Sequence, residues 1–248
     1  MTGAAGGLGL GLGLNAAIVD LDGTMLDTLG DFVVALNATL ADLTLPRIER
    51  GFIERTVGKG SEHLIRSTLR HVGAEVGADV VDVGACADGR DTALFDRALA
   101  LYQQHYLAVN GAHAHIYPGV IDGLEQLVAR GWKLACLTNK PIAFALPLLR
   151  QKGLERYFSA IFGGDSFERK KPDPLPLLRT CATLGSVPAR TLMLGDSSND
   201  ARAARAAGCP VVLVSYGYNH GEPVYGVDAD AVVDRLDQLG GFIDARLS

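Results

Sequence analysis

Two aspartates one residue apart, Asp20 and Asp22 in the segment DLDGT, are the first residues whose type and spacing could do chemistry. A carboxylate on rigid backbone can attack phosphorus and form an acyl-phosphate. A second carboxyl group one short turn away can protonate the leaving alkoxide and then deprotonate the water that cleaves the intermediate. Gly23 lets the backbone turn closely, and Thr24 can tie that turn down by hydrogen bonding. Such chemistry needs positive charge, because a carboxylate about 4 Å from a phosphate dianion is repelled by several kcal/mol per charge pair at an effective dielectric near 20. Asp196 in MLGDSSND, with Asp20 and the Asp22 backbone carbonyl, makes an oxygen set suited to Mg²⁺. Lys171 in RKKPDPLPLL supplies a second cation. In LTNK, Thr138 and Asn139 bring a hydroxyl and backbone N–H groups that can hold phosphoryl oxygens. Asp200, four residues after Asp196, falls on the first turn of the next helix, where an acid complements the helix dipole.

These residues need a scaffold that brings them together. Ala16 to Val19 is a short apolar run that predicts a buried strand ending at Asp20. Helical spacing of Leu29, Phe32, Val33, Leu36, Leu40 and Leu43 follows, with Asp27 or Thr28 as N-cap. Helix succeeds helix from about residue 30 to 107, with Leu94, Ala98, Leu101, Tyr102 and His105 on one face, and glycine breaks at 58–60 and 83–89. From Pro118 helices alternate with strands at 134–138, 160–163, 191–194 and 211–214. Alternation of this kind predicts an α/β fold, a mostly parallel sheet with helices on both faces. Ligands bind beyond the carboxyl ends of such strands, which selects Asp20, Thr138 and Asp196.

Composition narrows the partners. With 248 residues, 48% of them hydrophobic, the chain can bury a full core and a small second unit. No apolar run reaches the roughly 18 residues of a membrane span. The net charge of −5 brings no basic stripe for a nucleic-acid backbone, so neither nucleic acid nor membrane is an expected partner. Cys86, Cys136, Cys181 and Cys209 form no CxxC pair and fit reduced thiols of a cytoplasmic protein, with Cys136 buried and inert. The opening MTGAAGGLGLGLGLN has no Lys or Arg for a signal peptide and precedes the first strand, so it is no dinucleotide loop; residues 1–14 are expected to be a disordered tail. His113 and His115 sit in a linker and make no metal site by themselves, and His63, His71, His105 and His220 lack a partner in the sequence. Tyr216, Tyr218 and Tyr225 are expected to be packing and loop anchors.

Taken in order, DLDGT, the Thr of LTN, the Lys of KKPDP and the acids of GDSSND resemble the four motifs of the haloacid dehalogenase superfamily, over residues 16 to 220. Within it, VGKG, YPGV, KPDPLPL and GDSSNDARAARAAGCP followed by SYGYN are most similar to phosphoglycolate phosphatases. The resemblance implies a Rossmann-like core at 15–29 and 108–248 and an inserted α-helical cap at 30–107. It implies that Asp20 is nucleophile and metal ligand, Asp22 acid/base and backbone metal ligand, and Asp196 metal ligand. Thr138 and Lys171 would hold the phosphoryl group, Asp200 would orient Lys171, and Gly58, Lys59 and Gly60 would close over the glycolate end. Because Lys59 carries a charge between two glycines, it is the expected partner of a substrate carboxylate. The expected activity is Mg²⁺-dependent dephosphorylation of 2-phosphoglycolate through an aspartyl-phosphate. A β-phosphoglucomutase-like phosphotransferase or a broad small sugar-phosphate phosphatase would keep all four motifs. A noncatalytic phosphate-binding module would have lost a core acid, and none is missing. A dehalogenase does not need Asp22, and a phosphonoacetaldehyde hydrolase carries a small residue in its place.

Overall fold

The computed structural model describes residues 13–75 and 89–247, so most of the expected tail and Cys86 lie outside the described residues. Residues 13 and 14 are not loose: the Gly13 carbonyl accepts the Arg190 Nε–H at 2.7 Å, and Leu14 packs on the core. Six parallel strands form the main sheet in the order β5-β4-β1-β6-β7-β8: β1 Ala16–Val19, β4 Lys133–Leu137, β5 Ala160–Phe162, β6 Thr191–Gly195, β7 Val211–Val214 and β8 Ala231–Val233. The strand β8 carries no counterpart in the sequence reading, since AVV is too short to show a period. A two-residue antiparallel ribbon, β2 Leu26–Asp27 with β3 His115–Ile116, absorbs the expected His113–His115 linker.

β1 lies at the centre, paired on one side with β4 and on the other with β6. Its alternation divides the core: Ala17 and Val19 face one apolar cluster, Ala16 and Ile18 the other. The first cluster is covered by α5 Val120–Ala129, α6 Ile142–Gln151 and α9 Leu239–Leu247; the second by α7 Leu175–Leu184 and α8 Ser198–Ala207. Helices on both faces bury β1 completely, which is why its sequence reads as continuous apolar rather than alternating.

Between β2 and β3 the chain forms α1 Leu29–Asp42, α2 Arg50–Thr56, α3 Ser61–Glu75 and α4 Gly89–Val109, with a separate apolar cluster of their own. On α1 the residues Leu29, Phe32, Leu36 and Leu40 meet Phe95, Ala98, Tyr102 and Tyr106 of α4. Full burial of such side chains stabilises by roughly 1.5–3 kcal/mol each. On α4 Ala98 and Tyr102 are buried as expected, but Leu94 is 41% exposed and Phe95 is buried in its place. His105 finds a partner that sequence spacing hides, Asp42 at 2.7 Å. Asp31, fully buried on α1, accepts the N–H groups of Gly111 and His113 at 2.7 Å each. One carboxylate thus fastens the chain where it leaves the sheet to where it returns.

No helix among the described residues is long and apolar enough to cross a membrane. Cys136, Cys181 and Cys209 are free and buried.

Candidate active site

Three strands deliver the site. β1 ends at Val19, β4 at Leu137 and β6 at Gly195, so Asp20, Thr138 and Asp196 are each the first residue past a parallel strand. After Asp20 the chain reverses through a tight loop in which the Leu21 carbonyl accepts N–H bonds from Met25 (3.0 Å) and Leu26 (3.1 Å). Gly23 is needed there: its φ is 81°, and a Cβ would overlap the Asp196 carboxylate. Thr24 does not tie down its own turn as expected. Its hydroxyl instead reaches Asp196 Oδ1 at 3.4 Å, while Asp196 Oδ2 accepts the Tyr218 N–H at 2.7 Å.

Lys171 sits at the centre of the floor. Its ammonium lies 2.7 Å from Asp200 Oδ1, 2.9 Å from Asp20 Oδ1 and 2.8 Å from the Leu137 carbonyl, with the side chain 2% exposed. Burial would push the lysine pKa down, but the charges of Asp20 and Asp200 outweigh it and hold it above the usual lysine range. Asp200 has two tasks, of which its sequence position indicated the cap alone. It closes a capping box at the start of α8, its Oδ2 accepting the Ser197 N–H at 3.2 Å and the Ser197 hydroxyl at 2.8 Å, and it pairs Lys171 through Oδ1.

Charge does not balance among these groups. Buried carboxylate oxygens of Asp20, Asp196 and Asp200 lie within 4.8 Å of one another around a single ammonium. Burial, opposed by Lys171 and reinforced by Asp200, raises Asp20 from 3.8 to about 7. Asp196 is raised well above the carboxylate range by burial and by its neighbours Asp200 and Asp20. Two buried acids pushed toward neutrality beside an all-oxygen cluster are the condition a small hard divalent cation relieves, so the residues fit Mg²⁺.

Asp22 faces the other way. Its Oδ1 accepts the Thr28 hydroxyl at 2.7 Å and Lys140 Nζ at 2.9 Å, and Oδ2 takes the same ammonium at 3.0 Å. Thr28 is the N-cap residue of α1 but its hydroxyl makes no cap bond; Asp27, one residue earlier, accepts the Leu29 N–H at 3.0 Å. Lys140 was not singled out from the sequence. It lies two residues past Thr138 in LTNK, its N–H bonds the Thr138 hydroxyl at 3.2 Å, and its ammonium lies 4.6 Å from the ring centres of both Phe32 and Tyr106. The only signal for it was a charge in a strand-end motif, and its role appears once α1 and α4 fold over it.

A narrow cavity of about 30 Å³ separates sheet and helices, lined by Asp20, Asp22, Thr138, Asn139 and Lys140 below and by Phe32, Gly58, Gly60, Leu64 and Tyr102 above. The loop between α2 and α3 is clasped to the floor. The Gly58 carbonyl accepts from Asn139 Nδ2 at 3.0 Å and Asn199 Nδ2 at 3.3 Å, and the Val57 carbonyl contacts His220 Nδ1 at 3.0 Å. Asn139 also donates to the Lys171 carbonyl at 2.8 Å, so one side chain joins the loop to the lysine strand. Gly58 and Gly60 line the cavity at φ of 98° and 90°. Lys59, whose two neighbours are in left-handed backbone, is not in that lining; it borders an open depression with Arg66, Lys170, Arg202 and two residues of the floor, Lys171 and Asn199. The tyrosine expectation is met by Tyr216 and Tyr218, whose hydroxyls reach the Thr24 carbonyl (2.8 Å) and Asp27 (3.0 Å), while Tyr225 is 72% exposed.

A parallel sheet with acids and a buried lysine at its strand ends, under a helical cover, defines an α/β enzyme of the phosphatase class. The chain belongs to the haloacid dehalogenase-like hydrolase family, whose model matches residues 17–214. A phosphoglycolate phosphatase of Thiobacillus denitrificans is 42% identical over 225 residues, covering 91% of this chain and 93% of its own. One from a plasmid of Cupriavidus necator is 39% identical over 234 residues, covering 94% and 95%. A crystal structure of a predicted phosphoglycolate phosphatase from Haemophilus somnus superposes with a TM-score of 0.84 at 28% identity, covering 95% of this chain and 99% of that one.

Proposed function

We infer that the protein is a Mg²⁺-dependent phosphatase that dephosphorylates 2-phosphoglycolate in the cytoplasm, with Asp20 as nucleophile. The observation that carries this reading is the floor itself: a strand-end carboxylate 2.9 Å from a buried ammonium, inside a cluster of three acids that one lysine does not neutralise. Asp20, Asp196 and the Asp22 backbone carbonyl would hold Mg²⁺, which when bound supplies the positive charge that lets an anionic ester approach an anionic nucleophile. Lys171 and the Thr138 hydroxyl hold the phosphoryl oxygens, and Asp200 keeps Lys171 in place. Asp20 attacks phosphorus, Asp22 protonates the departing glycolate oxygen, and Asp22 then takes a proton from the water that cleaves the aspartyl-phosphate. Helices α1–α4 act as a cap whose Gly58–Gly60 loop excludes water during the reaction. The names of the relatives support the substrate, and the small cavity supports a small one. A panel of phosphomonoesters assayed with Mg²⁺ tests the reading. 2-Phosphoglycolate should give the highest kcat/KM, and EDTA should abolish turnover. A sugar phosphate or nucleotide ahead by about tenfold would overturn the substrate, and full activity without metal would overturn the chemistry.

A further inference from the structure

We propose that Lys140 is the specificity residue of this site, its ammonium binding the carboxylate of the substrate next to the scissile ester; the assignment rests on the 2-phosphoglycolate reading above. Lys140 is the only cation among the described residues that line the cavity. Its side chain is 2% exposed, and a buried ammonium persists only where anions or π faces compensate its lost hydration. Here both occur: Asp22 takes the ammonium through both oxygens, and the rings of Phe32 and Tyr106 flank it.

Position ties this cation to the ester. Its backbone N–H is fixed on the Thr138 hydroxyl at the phosphoryl end, and its ammonium is in contact with the group that serves the leaving oxygen. In 2-phosphoglycolate the carboxylate is one carbon from that oxygen, so an ammonium bound to Asp22 stands within reach of it. The rest of the described lining gives a carboxylate no other cation: Phe32, Leu64 and Phe144 are apolar, and Lys171 lies behind Asp20. Polar groups nearby are short of partners, as expected where a ligand completes the bonding. The Tyr106 hydroxyl is buried without a hydrogen bond, and that of Tyr102, close to Ser61, forms none of good geometry. A substrate carboxylate would give Lys140 a second anionic partner and loosen its two-oxygen hold on Asp22, so that Asp22 can take up a proton from solvent and turn to the leaving oxygen. Selection and acid catalysis are then coupled through one side chain.

The test is the ratio of kcat/KM on 2-phosphoglycolate to kcat/KM on ethyl phosphate, which has the same chain length and no carboxylate. The wild-type protein should prefer 2-phosphoglycolate. Lys140→Met should collapse that preference by at least about 30-fold, because a site built around a polar partner discriminates strongly only while that partner is present. Much of the loss should be in KM for 2-phosphoglycolate, and Lys140→Arg should restore part of the preference. If Lys140→Met does not fold by circular dichroism, Lys140→Gln is judged by the same ratio. Equal losses on both substrates would make Lys140 a support of Asp22 only and overturn the assignment. A collapse caused by Lys59→Ala and not by Lys140→Met would also overturn it. A wild-type protein with no preference sinks the substrate reading and this assignment with it, whereas a preference that survives Lys140→Met sinks the assignment alone.

Discussion

The floor and the cover of the cavity are held by different kinds of contact. On the floor each functional group has several buried partners: Lys171 contacts Asp20, Asp200 and Leu137, and Asp196 is gripped by Thr24 and Tyr218. The cover meets the floor through a few backbone carbonyls, Gly58 on Asn139 and Asn199 and Val57 on His220, and through the rings of Phe32 and Tyr106 against the Lys140 ammonium. Dense, charge-assisted bonding fixes geometry for chemistry; a few neutral bonds can break and re-form at each turnover. The cavity between them is narrow, so movement of the clasp would change the room open to a phosphate ester.

The contrast predicts different phenotypes on the two sides. Asp20→Asn should lower turnover by about 10⁴ or more on every substrate while the fold is retained, measured by steady-state rates and circular dichroism. Asp22→Asn should cost on the order of 10² to 10⁴ on 2-phosphoglycolate and less on p-nitrophenyl phosphate, whose leaving group needs no proton. Equal losses on the two esters would remove Asp22 from the acid role.

Asn139→Ala breaks the clasp and one tie to the lysine strand, and should destabilise by about 1–3 kcal/mol in urea melts and raise KM more than it lowers kcat. A kcat loss as large as that of Asp22→Asn would place Asn139 in the chemistry and erase the distinction between floor and cover. The smallest effect is a proton linkage. Asp20 is raised to about 7, so the folded protein holds that proton more tightly than the unfolded chain does. The contribution of Asp20 to metal-free stability is then full below 3.8 and declines as pH rises toward about 7. Mg²⁺ needs the ionised carboxylates, so its gain in Tm should be greater near pH 8 than near pH 6. A gain independent of pH would contradict the site.

How much of this was legible in the sequence follows the same division. Asp20, Thr138 and Asp196 could be placed because each directly follows an apolar run that can only be a buried strand, and in a parallel sheet such ends converge. Asp200 was legible as a cap and Lys171 as a charge beside a proline. Their pairing at 2.7 Å required β4, β6 and α8 to be assembled. The cover was less legible. Its loop was visible as glycines at 58 and 60, but the direction of Lys59 depends on left-handed backbone at both neighbours. Lys140 gains its meaning from Phe32 and Tyr106, residues 108 and 34 positions away, of which periodicity marked Phe32 as core and Tyr106 not at all. On α4 Leu94 was expected where Phe95 is buried, because both are apolar and only packing on α1 chooses between them.

The central claim is that Asp20 carries the phosphoryl group between ester and water. Acid quench of the protein during turnover of 2-phosphoglycolate with Mg²⁺, followed by peptide mass spectrometry, tests it directly. One phosphoryl group on the peptide containing Asp20, labile to hydroxylamine and absent in Asp20→Asn, is the predicted result. Turnover with no phosphorylated Asp20 peptide at any quench time, and no inhibition by beryllium fluoride, would contradict it and point to direct attack by water.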